Sequence, residues 1–404
     1  MADEPQAVEG HEPADERVCP KCGAPPSPGR WCMACGAEFP SEPAAGSATP
    51  AGGAVKAQKY ACAGCGALML WDPATSGLKC GFCGSTKGVA RDDAYVAVEY
   101  ALEHVPEAFK RQDAPKVFGC DRCGAEVTFP GSTVAAGCPF CGAPHVIERV
   151  GDDETRIVPQ SVLPFAIDQG KAKEIWKTWL GKGLFRPRRA LERAATDVMR
   201  GVYVPFWTYD TKTWSRWTAD AGYHHTRTVT SNGQTRTETH TEWRPASGQR
   251  TGFYDDVLVC ASKGVDERLL RKSYPFDLKV AQPYRSEYLS GWVAEEYVVE
   301  LADGWKRARE EVNQQEIAAC SRDVPGDTQR NLRVWTQHAD VTWKHMLLPL
   351  WVAAYRYEDR LYTFLVNGQT GKVVGKRPVS KVRIAIAVGL LALVGGLIFW
   401  LTRR

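Results

Sequence analysis

The spacing of apolar residues predicts two amphipathic helices set among strand-like runs. In segment 168–180 the apolar positions recur at i, i+3, i+4, i+7 and i+8, which places them on one face of a helix. They are Ala172, Ile175, Trp176, Trp179 and Leu180. Segment 300–323 carries a second helical pattern. The rest of residues 158–380 is rich in aromatic and β-branched runs, so we expect an α+β body built on an antiparallel sheet.

A Thr-rich segment centred on Asn232-Gly233 predicts a β-hairpin, because this dipeptide favours a type I′ turn. Folding there pairs Thr228 with Thr237 and leaves polar side chains on both faces. We therefore expect both faces to be exposed to solvent.

Two strand-like segments resemble each other: VYVPFWTYD at 202–210 and LLPLWVAAY at 347–355. We interpret the likeness as a sign of two related halves within the body. A chance likeness between two Pro-aromatic strand starts is the alternative.

The C-terminal segment 384–402 is uniformly apolar, with no charged residue, and its length predicts one transmembrane helix. The cations before it outnumber Arg403 and Arg404 after it, which favours a cytoplasmic location for the body. Those cations are Lys372, Lys376, Arg377, Lys381 and Arg383.

Small residues form a stripe along one face of this predicted span, where a second helix can approach closely and form an oligomer. They are Ala385, Gly389, Ala392 and Gly396. Gly and Ala are also common in membrane spans generally, which is the alternative.

The N-terminal region predicts less folded structure. Residues 1–17 read as a disordered acidic tail with no apolar signal segment, and residues 40–58 as a flexible Ala/Pro/Gly/Ser linker. Residues 89–116 form a connector between two of the cysteine units described next.

Twelve of the 14 cysteines fall into CxxC pairs, which combine into three units at 18–39, 59–88 and 117–146. The paired cysteines are Cys19, Cys22, Cys32, Cys35, Cys62, Cys65, Cys80, Cys83, Cys120, Cys123, Cys138 and Cys141. The other two, Cys260 and Cys320, read as buried small hydrophobic residues.

Four thiolates at this spacing predict a closed tetrahedral metal site in each unit, and hence three small zinc ribbons with three structural Zn²⁺ ions per chain. A glycine follows every CxxC pair, as a sharp turn with positive φ requires. Disulfides fit a cytosolic body badly, whereas rubredoxin-type iron is the closer rival. We expect the ribbons and the body to have separate cores joined by linkers.

Charge bears on what the ribbons bind. Residues 1–150 hold 13 Lys and Arg against 18 Asp and Glu, a balance of 13 − 18 = −5, which suits protein partners better than nucleic acid. A basic patch lies instead between 168 and 193, and it favours contact with anionic lipid, with nucleic acid as the alternative. It includes Lys171, Lys173, Lys177, Arg186, Arg188 and Arg189.

No catalytic signature is present in the sequence. GQTGKV at 368–373 resembles the end of a P-loop but does not complete the GxxxxGK[ST] pattern. We therefore predict that the protein is not an enzyme.

The chain resembles bacterial TFIIB-type zinc-ribbon membrane proteins, often labelled as primosomal protein N′ (replication factor Y)-like. The similar stretches run from the ribbon at 62–83 through GVYVPFW at 201–207 and LLPLWVAAYRY at 347–357 to NGQTGKVVGKRP at 367–378. The resemblance implies a cytoplasmic body on a membrane anchor, associated with membrane-stress systems of the flotillin and phage-shock type. Helicase activity is not implied, because the Walker A lysine is absent.

These observations predict a non-enzymatic membrane-anchored adaptor that recruits protein partners at the cytoplasmic face. The alternative is a nucleic-acid-binding factor related to primosomal protein N′, without helicase activity.

Overall fold

A computed structural model describes residues 60–111, 117–128, 138–140, 147–149, 156–181, 199–231, 234–357, 360–376 and 381–403. The predicted acidic tail, the first cysteine unit and the 40–58 linker lie outside the described residues. The bounds predicted for these segments stay predictions.

The described chain contains four α-helices and a larger number of strands. The helices are α1 (Gln169–Gly181), α2 (Glu267–Ser273), α3 (Leu301–Asp323) and α4 (Lys381–Thr402). The strands are β1 (Met69–Asp72), β2 (Gly77–Cys80), β3 (Thr86–Gly88), β4 (Tyr100–Ala101), β5 (Lys110–Arg111), β6 (Val117–Gly119), β7 (Glu126–Thr128), β8 (Ile147–Arg149), β9 (Arg156–Ile157), β10 (Ser161–Val162), β11 (Arg200–Ser231), β12 (Gln234–Cys260), β13 (Gln282–Pro283), β14 (Val293–Glu295), β15 (Thr328–Tyr357), β16 (Arg360–Asn367) and β17 (Val373–Gly375).

A sheet of 12 described strands organises the body, with the order β13-β10-β15-β11-β14-β7-β6-β8 along its main path. β12 pairs with β11, and β16 and β4 pair with β15. Three strands dominate it, since β11, β12 and β15 run for 32, 27 and 30 residues and pair antiparallel. The prediction of a sheet-rich, largely antiparallel body followed by one apolar C-terminal helix is confirmed.

The predicted hairpin forms with the predicted register. Thr228 pairs with Thr237 and Thr226 pairs with Thr239, across a turn whose two central residues are outside the described chain. The described side chains of 224–228 and 236–240 are exposed, as their polarity on both faces led us to expect.

Both predicted helices form. α1 buries Ala172, Trp176 and Leu180 from its predicted stripe. α3 packs on the long strands, and its buried Glu316 accepts hydrogen bonds from Ser215 Oγ at 2.6 Å and from Tyr254 Oη at 2.6 Å. These bonds anchor the helix to the sheet, because a buried carboxylate must be hydrogen-bonded.

The same order of elements occurs twice in the body. β10, α1 and β11 follow one another in the first half, and β14, α3 and β15 in the second. β10 pairs parallel with β15, while β14 pairs parallel with β11. The two long strands then pair antiparallel, with Val204 opposite Leu348 within the two similar sequence segments. This exchange of strands makes the two halves one sheet.

Candidate metal centres

The second cysteine unit brings its four predicted ligands together. Sγ atoms of Cys62, Cys65, Cys80 and Cys83 all lie within 4.8 Å of one another. Cys62 and Cys83 Sγ are 3.5 Å apart, as are those of Cys65 and Cys80. A disulfide needs about 2.05 Å, whereas four sulfurs around a metal at about 2.3 Å lie about 3.8 Å apart. The donor set therefore fits a tetrahedral thiolate site.

Each described CxxC turn has the same backbone geometry. Gly66, Gly84 and Gly124 have φ values of 73°, 77° and 73°, as the glycine after each pair predicted. The amide of each glycine donates to the carbonyl of the first cysteine of its pair, at 2.8, 3.0 and 2.8 Å. A Cβ adds steric strain in this conformation, so glycine is the favoured residue for the turn.

The surroundings of the second unit favour thiolate over thiol at two ligands. The hydroxyl and the amide of Ser85 lower the pKa of Cys83 to about 6, and the Cys83 Sγ lies 3.1 Å from Ser85 Oγ. The amide of Gly64 lowers the pKa of Cys62. Thiolates are the metal-binding form of cysteine, so these bonds prepare the site for a cation.

The third unit is described for three of its four predicted ligands. Sγ atoms of Cys120, Cys123 and Cys138 form a second cluster within 4.8 Å, with Cys123 and Cys138 Sγ 3.6 Å apart. Cys141 lies outside the described residues. Of the predicted metal ligands, Cys19, Cys22, Cys32 and Cys35 lie outside them as well.

The second unit is docked on the body. Its strands β1, β2 and β3 form a three-stranded sheet of their own. Trp71 meets Tyr288 edge to face, with ring centroids 4.7 Å apart, and its amide donates to Ser290 O at 2.9 Å. Trp292 Nε1 donates to Trp71 O at 3.1 Å. Cys62, Cys80 and Trp71 share one core cluster with body residues.

The third unit joins the body through the sheet. β7 pairs antiparallel with β14, with Val127 opposite Glu295. Phe140 and Ala125 crowd Gly264 so closely that a Cβ there would lie 2.8 and 2.7 Å from them. Both described units thus dock on the segment 288–295, which includes β14. The expectation of separate cores is wrong for them, because each unit is too small to bury its apolar side chains alone.

The predicted basic patch is only partly described. Lys171, Lys173 and Lys177 lie on α1, and Lys171 Nζ is 3.4 Å from Glu174 Oε2. Arg186, Arg188 and Arg189 lie outside the described residues. The structure therefore leaves the patch as a prediction.

The C-terminal helix α4 is long and apolar enough to cross a membrane. Its window Ala385–Thr402 spans 18 residues with a mean hydropathy of 2.3, and none of it is buried against the described chain. Gly389 and Gly396, from the small-residue stripe, have no neighbour within 4 Å of a Cβ position. The oligomer proposed for this stripe stays a prediction.

A buried charge cluster was not anticipated from the sequence. Lys344 Nζ lies 2.7 Å from Asp256 Oδ1, 3.3 Å from Glu99 Oε1 and 3.7 Å from Asp210 Oδ2. Burial raises the pKa of Asp210 to about 8, against the opposing effect of the Lys344 ammonium. Burial acts to lower the pKa of Lys344, but the carboxylates outweigh it and hold that pKa above its usual range.

Oxygens of Glu99, Asp210 and Asp255 also lie close enough to hold a cation. The Lys344 ammonium already supplies a positive charge beside them, so the cluster acts as an internal ion network. The register of the long strands shifts at Asp210, and Asp256 has a φ of 54° there. The cluster depends on this β-bulge, which changes the face of the sheet on which the following side chains lie. The alternation of apolar and polar residues in the sequence does not show where the bulge occurs.

A comparison with known proteins finds a relative over most of the chain. This is "Uncharacterized protein YdjG" of Bacillus subtilis (strain 168), which is 28% identical over 327 residues, covering 81% of this chain and 92% of the relative. No protein-family description matches the chain, and no solved structure matches it.

Proposed function

We propose that this protein is a non-enzymatic, membrane-anchored zinc-ribbon adaptor that recruits protein partners at the cytoplasmic face of a membrane. The observation that carries the proposal is the position of Phe82, which lies between the second pair of sulfur ligands and is 84% exposed. The other side of the same unit is docked on the body through Trp71. A large apolar side chain held out on a fixed turn offers a partner protein apolar area to bury.

Zinc is the metal that we propose for the cysteine units. Four-cysteine sites with every ligand from the protein are typical of structural zinc, because no position is open for a substrate. Binding of zinc would hold the short strands of the two described units in place, since the free energy of metal binding becomes folding free energy. We propose three ions per chain, one for each unit, with rubredoxin-type iron as the rival.

The membrane part of the proposal rests on α4. Five cations precede its apolar segment 384–402 in the sequence and two follow, which supports a cytoplasmic body. We also propose that the lysines of α1 contact anionic lipid beside the anchor. The resemblance to bacterial zinc-ribbon membrane proteins suggests a membrane-stress system of the flotillin or phage-shock type.

The test is quantitative capture of the full chain from detergent-solubilised membranes after brief crosslinking. Phe82→Ala is compared with Val96→Ala, because Val96 is an equally exposed apolar residue outside the cysteine units. We expect a defined set of proteins to be lost with Phe82→Ala and kept with Val96→Ala. Identical capture by both variants would contradict the proposal for this surface.

Nuclease treatment of the same samples separates the adaptor from its alternative. Partners that bind this chain directly should survive the treatment. Loss of every partner with nuclease would favour the nucleic-acid-binding factor instead, because such partners would be held through the nucleic acid.

A further inference from the structure

The three long strands continue as a narrow sheet beyond the bulge at Asp210. We call this part the paddle: 211–231 of β11, 234–254 of β12 and 328–339 of β15. One face of the paddle is covered by α3, where Trp217, Ala219 and Ala221 form a cluster with Cys320. Side chains of a strand alternate between faces, so the intervening residues lie on the other face.

That other face carries three large exposed aromatic side chains. Phe253, Trp214 and Trp335 are 49%, 42% and 50% exposed. They come from the neighbouring strands β12, β11 and β15.

The register of the three strands places these aromatic rings in a line. Phe253 lies opposite Lys212, and Trp335 lies opposite Arg216. Trp214 sits between these two positions on the middle strand. The three rings therefore form a diagonal stripe across the sheet, at the spacing of diagonal neighbours.

Two arginines beside the stripe have no acidic partner among the described residues. Arg216 Cζ lies 5.8 Å from the centre of the Trp335 ring, and Arg333 lies opposite Thr218 on the same face. Other cations of this face are neutralised: Lys212 Nζ is 2.8 Å from Asp340 Oδ2, and Arg330 Nε is 3.2 Å from Asp220 Oδ2. The stripe thus carries an excess of positive charge from two guanidinium groups.

We propose that this aromatic stripe, with Arg216 and Arg333, is a docking surface for an acidic segment of a partner protein that also carries apolar side chains. Tryptophan and arginine at the centre of a contact contribute most of the binding free energy in protein interfaces. Unpaired guanidinium groups favour a partner with carboxylates by charge complementarity. The surface is separate from Phe82, so the inference goes beyond the proposed function and names the chemistry of a second contact.

Single-stranded nucleic acid is the competing occupant, because bases also stack on exposed aromatic rings. Binding to phosphates depends on many clustered cations, and each released counterion adds to the affinity. Two unpaired arginines are few for that mode. The charge count therefore favours the acidic protein segment.

The experiment uses the full chain in nanodiscs of phosphatidylcholine. Binding of a fluorescein-labelled copolymer of glutamate and tyrosine is measured by anisotropy, beside labelled oligo(dT) and vesicles containing phosphatidylglycerol. We expect the copolymer to bind the native chain, and Trp214→Ala with Trp335→Ala to weaken that binding about tenfold or more. Arg216→Glu with Arg333→Glu should weaken it at least as much.

Two controls match these variants. Ile317→Ala removes an exposed apolar side chain from α3, which covers the opposite face, and Arg268→Ala with Arg322→Ala removes two exposed cations elsewhere. Both should bind the copolymer like the native chain. Circular dichroism and bound metal verify that each variant is folded, and the charge-reversal pair tests the surface should the tryptophan pair misfold.

Three outcomes would overturn the inference. One is a native chain that does not bind the copolymer, and another is copolymer binding that the paddle variants leave unchanged. The third is loss of oligo(dT) or vesicle binding alone in those variants, which would make the stripe a nucleic-acid or lipid surface. None of these outcomes depends on Phe82, so the proposed adaptor function would be judged separately by the capture experiment.

Discussion

Trp207 and Trp351 make equivalent hydrogen bonds in the two halves of the body. Trp207 Nε1 donates to Val299 O at 2.8 Å, and Trp351 Nε1 donates to Ile167 O at 3.0 Å. Each accepting carbonyl lies two residues before a helix begins, α3 in one case and α1 in the other. Each tryptophan therefore fixes the path of the chain into the helix of the opposite repeat.

The surroundings of the two rings are also equivalent. Trp207 meets Tyr297 edge to face at 5.1 Å, and Trp351 meets Phe165 edge to face at 5.1 Å. Both indoles are almost fully buried. The pair thus supports two related halves more strongly than the short sequence likeness does.

Trp207→Phe and Trp351→Phe should destabilise the protein by similar amounts. Each keeps an aromatic ring but removes the donor to a backbone carbonyl, in a hydrogen bond that is buried for Trp207 and partly buried for Trp351. We expect a cost of about 1 to 2 kcal/mol in the free energy of unfolding. Thermal unfolding in detergent measures it. Trp217→Phe is the control, because Trp217 is buried and its Nε1 has no hydrogen-bond partner among the described residues. Equal effects at all three positions would show that packing alone matters.

Local features of the fold were predictable from the sequence. The Asn-Gly turn set the hairpin register down to the Thr228–Thr237 pair, and the helical period of Ala172 and Trp176 set the buried face of α1. The cysteine spacing alone predicted that the sulfur ligands of Cys62 and its partners lie close together. In each case the determining interactions lie close together in the sequence.

Long-range features were not predictable in the same way. Docking of Trp71 on Tyr288 joins residues that are far apart in the chain. The sequence pattern of a ribbon is the same whether its apolar residues pack within the ribbon or against the body. The Lys344 cluster depends on bulges that bring Asp210 and Asp256 to one side of the sheet. A sequence pattern shows which residues are buried, but not which distant residues of the chain cover them.

Cys123→Ser should remove one metal ion and also disturb the body. Cys123 belongs to a unit whose Phe140 and Cys120 share a core cluster with Leu163 and Val202. Elemental analysis of protein purified under reducing conditions should fall from about three zinc ions per chain to about two. Limited proteolysis should then cut within the body near Val202 as well as within 117–146.

Cys260→Ser is the matched control, because Cys260 is buried in the same cluster but lies outside the cysteine units. Its metal content should equal that of the native chain. Visible colour with iron in the native protein would contradict zinc. Cleavage confined to 117–146 after Cys123→Ser would show that the body folds without this unit.

Truncation after Pro378 should release the body from membranes, since α4 is the one membrane-spanning candidate among the described helices. Ultracentrifugation after a high-salt wash measures the soluble fraction. Sedimentation of the truncated chain would reveal another anchor, and Trp179, which is partly exposed on α1, would be the first residue to test.

Gly389→Leu with Gly396→Leu keeps the span apolar and should leave the protein in the membrane fraction, while crosslinking to a second helix falls if the stripe packs.

Asp210→Asn should remove a pH dependence that the buried charge cluster gives to stability. The pKa of Asp210 rises from 3.8 to about 8 on folding, first because of its burial. The folded state therefore keeps a proton that the unfolded chain releases, and this contribution to stability is fully present below 3.8 and is lost as the pH rises through about 8. We expect the thermal midpoint of the native chain, relative to that of Asp210→Asn, to fall steadily between pH 3.8 and about pH 8.

Asp303→Asn serves as the control, because hydrogen bonding to Lys306 lowers the pKa of Asp303, so its titration lies below this pH window. Parallel curves for the native chain and Asp210→Asn across the window would mean that Asp210 stays ionised beside Lys344.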